Sequence, residues 1–134
     1  MKYLRRYARI VSEIGPHEVT LAGITVEVDK GVFCPNPELT YSSCMVIDNF
    51  PEAEGKSVLD LGTGTGILSL YAAKQGAQSV TAVDLDERAV LNAKRNVQKY
   101  SLEDIVDIRR SDLFGDVDGQ YDVILANLPI LGVD

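Results

Sequence analysis

Ser57-Val58-Leu59-Asp60-Leu61-Gly62-Thr63-Gly64-Thr65-Gly66 is the stretch whose reading decides the fold. Val58 to Leu61 is a short apolar run of the kind that a strand buried on both faces shows. It leads into three glycines at alternate positions, after which Ile67 to Lys74 reads as a helix. Glycine allows the backbone to turn sharply and to lie close to a ligand. The helix start behind Gly66 presents backbone N–H groups that have no partner within the helix. Strand, glycine-rich turn and helix in this order predict a ligand cradle; a tight turn that holds nothing is the alternative reading. The spacing from Asp60 to Gly66 is D-x-G-x-G-x-G. The dinucleotide fingerprint G-x-G-x-x-G would put its last glycine at Ile67, so a nucleotide-dependent oxidoreductase is disfavoured.

Downstream of the turn, strands and helices alternate. Val80 to Asp84 reads as a second buried strand. Glu87 to Tyr100 reads as a helix with Ala89, Val90, Ala93 and Val97 inward, capped by Asp86. Val106 to Ile108 and Tyr121 to Ala126 read as a third and a fourth strand. Such alternation predicts a parallel sheet with right-handed crossovers. Upstream, His17 to Leu21 and Ile24 to Val28 flank Ala22-Gly23 and predict a β-hairpin. Asp29 to Pro37 reads as irregular. Glu38 to Asn49 reads as a helix stopped by Phe50-Pro51. A first helix over residues 2–14 would carry the stripe Tyr3, Tyr7, Ile10, Val11 and Ile14, with Lys2, Arg5, Arg6 and Arg9 on a solvated face. The expected organisation is an N-terminal helix, hairpin and capping segment over residues 1–56 and a parallel α/β half over 57–134, together one domain.

Bulk properties narrow the function. The chain has 134 residues, the length of one domain able to bury a core without staples. The formal net charge of −7 argues against sequence-independent binding to a phosphate backbone. Cys34 and Cys44 are the only cysteines and His17 the only histidine, so the spacing of a metal site is absent and reduced thiols are expected. No apolar run approaches the ~20 residues of a membrane span. Met1 to Ile14 lacks a signal-peptide core, and a cytoplasmic protein is expected.

Asp60-Leu61-Gly62-Thr63-Gly64-Thr65-Gly66 resembles the first motif of class I S-adenosylmethionine-dependent methyltransferases. The resemblance implies a Rossmann-like, doubly wound parallel sheet and S-adenosylmethionine as cofactor, with Asp60, Gly62, Thr63, Gly64 and Gly66 around it. Val83-Asp84 ends the next strand, where these enzymes place an acid on the cofactor ribose, and Leu85 adjoins it. A carboxylate there accepts from both ribose hydroxyls; the alternative for Asp84 is a helix cap. Ser111-Asp112-Leu113-Phe114 follows the third strand, where the resemblance puts an acid on the adenine amino group and an apolar residue on the ring. Asp112 and Leu113 are those candidates, and a plain turn is the alternative.

The fourth strand runs into Asn127-Leu128-Pro129-Ile130. This is similar to the Asn-Pro-Pro-aromatic motif of amino-group methyltransferases that modify adenine N6, guanine N2 or a glutamine amide. Such nitrogens are poor nucleophiles. The Asn127 side-chain oxygen and the Leu128 carbonyl would accept their N–H bonds and aim the lone pair, which is catalysis by positioning and electrostatics. Pro129 biases Leu128 to an extended shape. Leu128 replaces the first proline and Ile130 the aromatic, which removes a stacking surface for a planar target. Gly31-Val32-Phe33 and Pro35-Asn36-Pro37-Glu38-Leu39-Thr40 resemble the segment ahead of the first motif in the glutamine-N5 and small-domain methyltransferases.

The expected function is methyl transfer from S-adenosylmethionine to an amide or amino nitrogen of a protein or RNA substrate, with no metal. The alternative is a cofactor-binding module without activity of its own, completed by another chain or by a further segment. Family members continue beyond the fourth strand, so the chain reads as truncated there. A homodimer or a completing chain is expected at the exposed edge of that strand.

Overall fold

The computed structural model describes residues 14–36 and 42–128. The expected N-terminal helix, the start of the Glu38 helix, Pro129 and Ile130 therefore lie outside the described residues.

The hairpin consists of β1 (His17–Leu21) and β2 (Ile24–Val28), paired antiparallel with His17 opposite Val28. Ala22 and Gly23 have φ of 51° and 76°. Positive φ at both central residues is what a two-residue turn needs to follow the twist of the strands it joins. A short helix, α1 (Ser42–Asp48), follows. Then come β3 (Ser57–Leu61), α2 (Ile67–Lys74), β4 (Ser79–Asp84), α3 (Glu87–Lys99), β5 (Val106–Arg110) and β6 (Val123–Ala126). The strand order of the main sheet is β5-β4-β3-β6, all parallel. This is the parallel α/β sheet predicted from the strand–helix alternation, in the doubly wound arrangement that the resemblance implied. The chain moves outward from β3 to β5, then returns to the other side of β3 as β6. The carboxyl ends of β3 and β6 therefore flank a topological switch point, where open α/β sheets bind ligands.

One face of the sheet carries the main core. Val58, Val80, Ala82, Val106 and Ile108 meet Leu68, Leu70 and Ala72 of α2 and Val90, Ala93 and Val97 of α3. Val19, Val26 and Val28 of the hairpin belong to the same cluster, so hairpin and sheet share one interior. The other face holds a smaller cluster of Leu59, Leu61 and Val83, covered by Val117 and Tyr121. Asp122 pins the start of β6 to β3: its carboxylate accepts from the Ser57 backbone N–H at 2.9 Å. Among the described residues β6 is an edge, and its Ile124 is 54% exposed.

The inward face of α3 also holds two fully buried amides, Asn92 and Asn96, which the apolar periodicity did not predict. Asn92 Oδ1 accepts from the Asp29 N–H, and Asn92 Nδ2 donates to the Glu27 carbonyl. Asn96 Oδ1 accepts from the Glu27 N–H, and its Nδ2 donates to the Glu27 carbonyl. The Tyr100 hydroxyl accepts from the Thr25 N–H and donates to the Thr25 carbonyl. Four helical residues advance about 6 Å and two strand residues about 6.7 Å. Side chains at i, i+4 and i+8 therefore stay level with alternate residues of β2 and replace a neighbouring strand along its open edge.

Candidate functional site

At the end of β3, Gly62, Gly64 and Gly66 have φ of 72°, 57° and 86°, a region that glycine adopts without strain. Gly62 N–H and Thr63 N–H both donate to the Val83 carbonyl, at 2.9 and 3.0 Å, which ties the turn to the end of β4. Asp60 is buried beneath the turn. One of its carboxylate oxygens accepts from the Ser69 hydroxyl at 2.7 Å and the Thr63 hydroxyl at 2.8 Å. The other has no hydrogen-bond partner, nor has the buried Thr65 hydroxyl. Burial pushes the Asp60 carboxyl above the ordinary carboxylate range, the two hydroxyls oppose this, and the charge of Asp84 adds to it. Asp60 thus joins the turn to the first coil of α2.

At the end of β4, Asp84 accepts from the Gly64 N–H with one oxygen and from the Asp86 N–H with the other, both at 3.0 Å. Asp86, as predicted, caps α3 by accepting from the Arg88 N–H. Hydrogen bonding to the Arg88 side chain holds the Asp86 carboxyl below its usual range. Each oxygen of Asp84 keeps a lone pair after binding its backbone N–H. Leu85, beside it, is 60% exposed.

After β5, Ser111 folds the chain: its hydroxyl donates to the Leu113 carbonyl and accepts from the Asp116 N–H. This puts Leu113 at a φ of 48°, 44% exposed, beside the exposed Asp112. After β6, Asn127 Nδ2 donates to the Ser43 hydroxyl of α1 at 3.2 Å. The Leu128 side chain lies across the glycine turn, and a Cβ on Gly62 would come within 2.6 Å of its Cδ2. Gly31, Val32, Phe33 and Pro35 approach from the hairpin side.

These segments enclose one cavity of about 740 Å³, within the size range of small-molecule sites. Gly62, Thr63, Gly64, Asp84, Leu85, Asp112, Leu113, Asn127 and Leu128 all line it. Asp60 and Gly66 do not; the first lies under the floor and the second starts α2. Pro129 is outside the described residues. Residues not singled out from the sequence also take part. Thr65 and Ser43 line the cavity, and Asn96 donates to the Thr65 carbonyl at 2.8 Å. Asn92 and Asn96 were legible only as amides four apart on the apolar face of a helix, an unfavourable place for amides without partners. Cys34 Sγ lies 3.3 Å from His17 Nε2. Among the described residues no helix is long and apolar enough to cross a membrane.

Comparison with known proteins places this geometry. A family model described as methyltransferase small domain matches residues 23–132. The ribosomal protein L11 methyltransferase of Thermotoga neapolitana is 52% identical over 75 residues, covering 56% of this chain and 28% of the relative. That of Desulforamulus reducens is 39% identical over 107 residues, covering 78% of this chain and 34% of the relative. The chain thus spans about a third or less of the length of these relatives. Among solved structures, a T. thermophilus 16S rRNA guanosine N2 methyltransferase in complex with AdoMet and guanosine superposes with a TM-score of 0.68 at 26% identity. It covers 87% of this chain and 33% of that one.

Proposed function

The chain belongs to the methyltransferase small-domain family, and from that premise we propose that it binds S-adenosylmethionine at the ends of β3 and β4 and presents an acceptor nitrogen at Asn127. One observation carries the reading: the Gly62–Thr65 turn, Asp84 and Asn127 line a single cavity, although β3, β4 and β6 supply them separately.

The residues fit the cofactor. Beside Gly64 the position of a Cβ meets nothing within 4 Å, so the turn leaves room at its centre. The Thr65 hydroxyl is buried with no partner, which costs free energy in the turn itself. Asp84 has lone pairs for two ribose hydroxyls, Asp112 an acceptor for the adenine amino group, and Leu85 and Leu113 apolar surface for the ring. Bound S-adenosylmethionine supplies an electrophilic methyl group on a sulfonium sulfur. Asn127 Oδ1 and the Leu128 carbonyl accept the N–H bonds of the incoming nitrogen and aim its lone pair. Asp60 and Thr63 keep the turn in shape.

The acceptor we favour is a nitrogen of a protein: the relatives are named as methyltransferases of ribosomal protein L11, and an aliphatic Leu128 beside Asn127 suits a side chain better than a nucleobase. A nucleobase nitrogen is the second reading, favoured by the guanosine-bound neighbour and by Phe33 in the cavity wall. Either reaction belongs in the cytoplasm. The edge of β6 is where a completing segment or a partner chain would pair.

Calorimetry tests the cofactor site. S-adenosylhomocysteine should bind and NAD should not; the reverse result ends the reading. For the acceptor site, Asn127→Ala should leave cofactor affinity unchanged and lower kcat about a hundredfold, the loss typical of one transition-state hydrogen-bonding group. Radiolabelled methyl transfer to ribosomal proteins and to ribosomal RNA would separate the two acceptors.

A further inference from the structure

We propose that Asn96 is a positioning residue for the cofactor: it holds the Thr65–Gly66 peptide with its carbonyl turned away from the cavity and ties that peptide to strand β2. The assignment rests on the cofactor reading of the glycine-rich turn.

Glycine on both sides of Thr65 leaves this stretch free to bend and equally free to flip. Gly64 and Gly66 stand at φ of 57° and 86°, and glycine takes the mirror-related values as readily. Reversal of the Thr65–Gly66 peptide would swing the Thr65 carbonyl toward the cavity. The amino-acid end of S-adenosylmethionine carries a carboxylate, which N–H groups attract and a carbonyl lone pair repels. The turn's own bond, from the Gly66 N–H to the Thr63 carbonyl at 2.9 Å, moves with the turn. A hold from outside comes from α3. Asn96 Nδ2 donates to the Thr65 carbonyl at 2.8 Å, and a Cβ on Gly66 would lie 3.3 Å from that of Ala93 on the same helix. Asn96 is fully buried and does not line the cavity, so the carbonyl it holds faces the interior. Its amide cannot invert. Oδ1 meets the Glu27 N–H, which only donates, and Nδ2 meets the Glu27 and Thr65 carbonyls, which only accept. Among the described residues Asn96 is the one side chain bonded to both the hairpin and the glycine turn. Asn92 bonds to Glu27 and Asp29 but not to the turn.

Calorimetry with S-adenosylhomocysteine tests the assignment, with Asn92→Ala as the matched control. Both substitutions loosen Glu27, but only Asn96→Ala frees the Thr65 carbonyl. Asn96→Ala should weaken binding about tenfold, and Asn92→Ala should stay within about twofold of the wild type. Where Asn96→Ala does not fold, Asn96→Ser takes its place. The smaller side chain leaves room for a water that satisfies Glu27 but does not pin the peptide, so the same loss is expected. Carbon-13 labelling gives a second readout, which a general loss of stability would not move. The Thr65 carbonyl resonance should shift in Asn96→Ala or Asn96→Ser and stay in place in Asn92→Ala. Equal affinity losses at the two positions, or an unmoved Thr65 carbonyl, overturn the positioning role while the cofactor reading stands. A wild type that binds no S-adenosylhomocysteine overturns the cofactor reading itself, and the role of Asn96 with it.

Discussion

The two walls of the cavity are built by opposite means. The sheet-side wall consists of turns that close on neighbouring strand ends. Gly62 and Thr63 donate to Val83, Gly64 donates to Asp84, and Ser111 N–H donates to the Asp84 carbonyl. The hairpin-side wall, Gly31 to Pro35, follows a two-stranded unit that forms no ladder with the main sheet. Apart from core packing it is fastened by the side chains of Asn92, Asn96 and Tyr100, 63 to 75 residues away in sequence, with solvent-facing ion pairs from Arg95 to Glu27 and Asp29 and from Lys99 to Glu18 beside them. The first wall inherits the rigidity of parallel pairing. The second depends on side chains, and most on the buried amides, since a buried amide missing one partner costs more than an apolar group of its size, whereas exposed ion pairs contribute little.

The sharpest way to break this difference is Asn96→Ala. It removes bonds to the Glu27 N–H, the Glu27 carbonyl and the Thr65 carbonyl at a fully buried site. Stranded backbone groups cost about 1–3 kcal/mol each, so we expect a loss of roughly 3 kcal/mol in urea denaturation. Asn92→Ala should lose less, because its bonds run only to Glu27 and Asp29 and none reaches the glycine turn. Asn96→Ala should also weaken binding of S-adenosylhomocysteine, through Thr65. A loss below roughly 1 kcal/mol would mean that core packing, not the ladder, holds the hairpin.

Within the sheet-side wall, Asp84 and Asp112 should differ. Asp84 supports Gly64 and Asp86 as well as any ligand, whereas Asp112 is exposed. Charged hydrogen bonds are worth about 1.5–3 kcal/mol, so Asp84→Ala should weaken cofactor binding roughly tenfold to a hundredfold, and more than Asp112→Ala. Equal losses by calorimetry would remove the distinction.

The smallest expected effect concerns the floor. The Asp60 carboxyl is raised from 3.8 in the folded chain, mainly by burial, so the folded state holds its proton more tightly than the unfolded state does. Its favourable contribution is complete below 3.8 and is lost as pH rises through the folded value. The stability of the wild type relative to Asp60→Asn should therefore increase as pH is lowered from neutral toward that range. A flat difference between the two urea curves across pH would contradict the burial argument.

Legibility divides along the same line. The D-x-G-x-G-x-G turn, the Asp86 cap and the hairpin at Ala22-Gly23 are local consequences of backbone freedom, capping and alternation, so they stand where the residues put them. Asn92 and Asn96 are the counter-example. On α3 they look like ordinary polar residues, because their partners are backbone groups of β2 that no local pattern points to. Ser43 looked like nothing more than a helix residue for the same reason.

By itself the sequence determined the parallel α/β order, the glycine-rich turn and the acids that end β4 and follow β5. Apolar period, positive φ and helix capping act over a few residues and leave their marks in composition. Only the tertiary structure decided that β6 returns beside β3, which brings Asn127 to the mouth of the Gly62 turn. It alone decided that Leu128 crosses Gly62, that Ser43 stands behind Asn127, and that Asp60 lies under the cavity floor. These are contacts between residues tens of positions apart, or the burial they produce. Their energy comes from filling one interior and satisfying the polar groups buried in it, a condition met by the whole chain at once rather than by any segment of it.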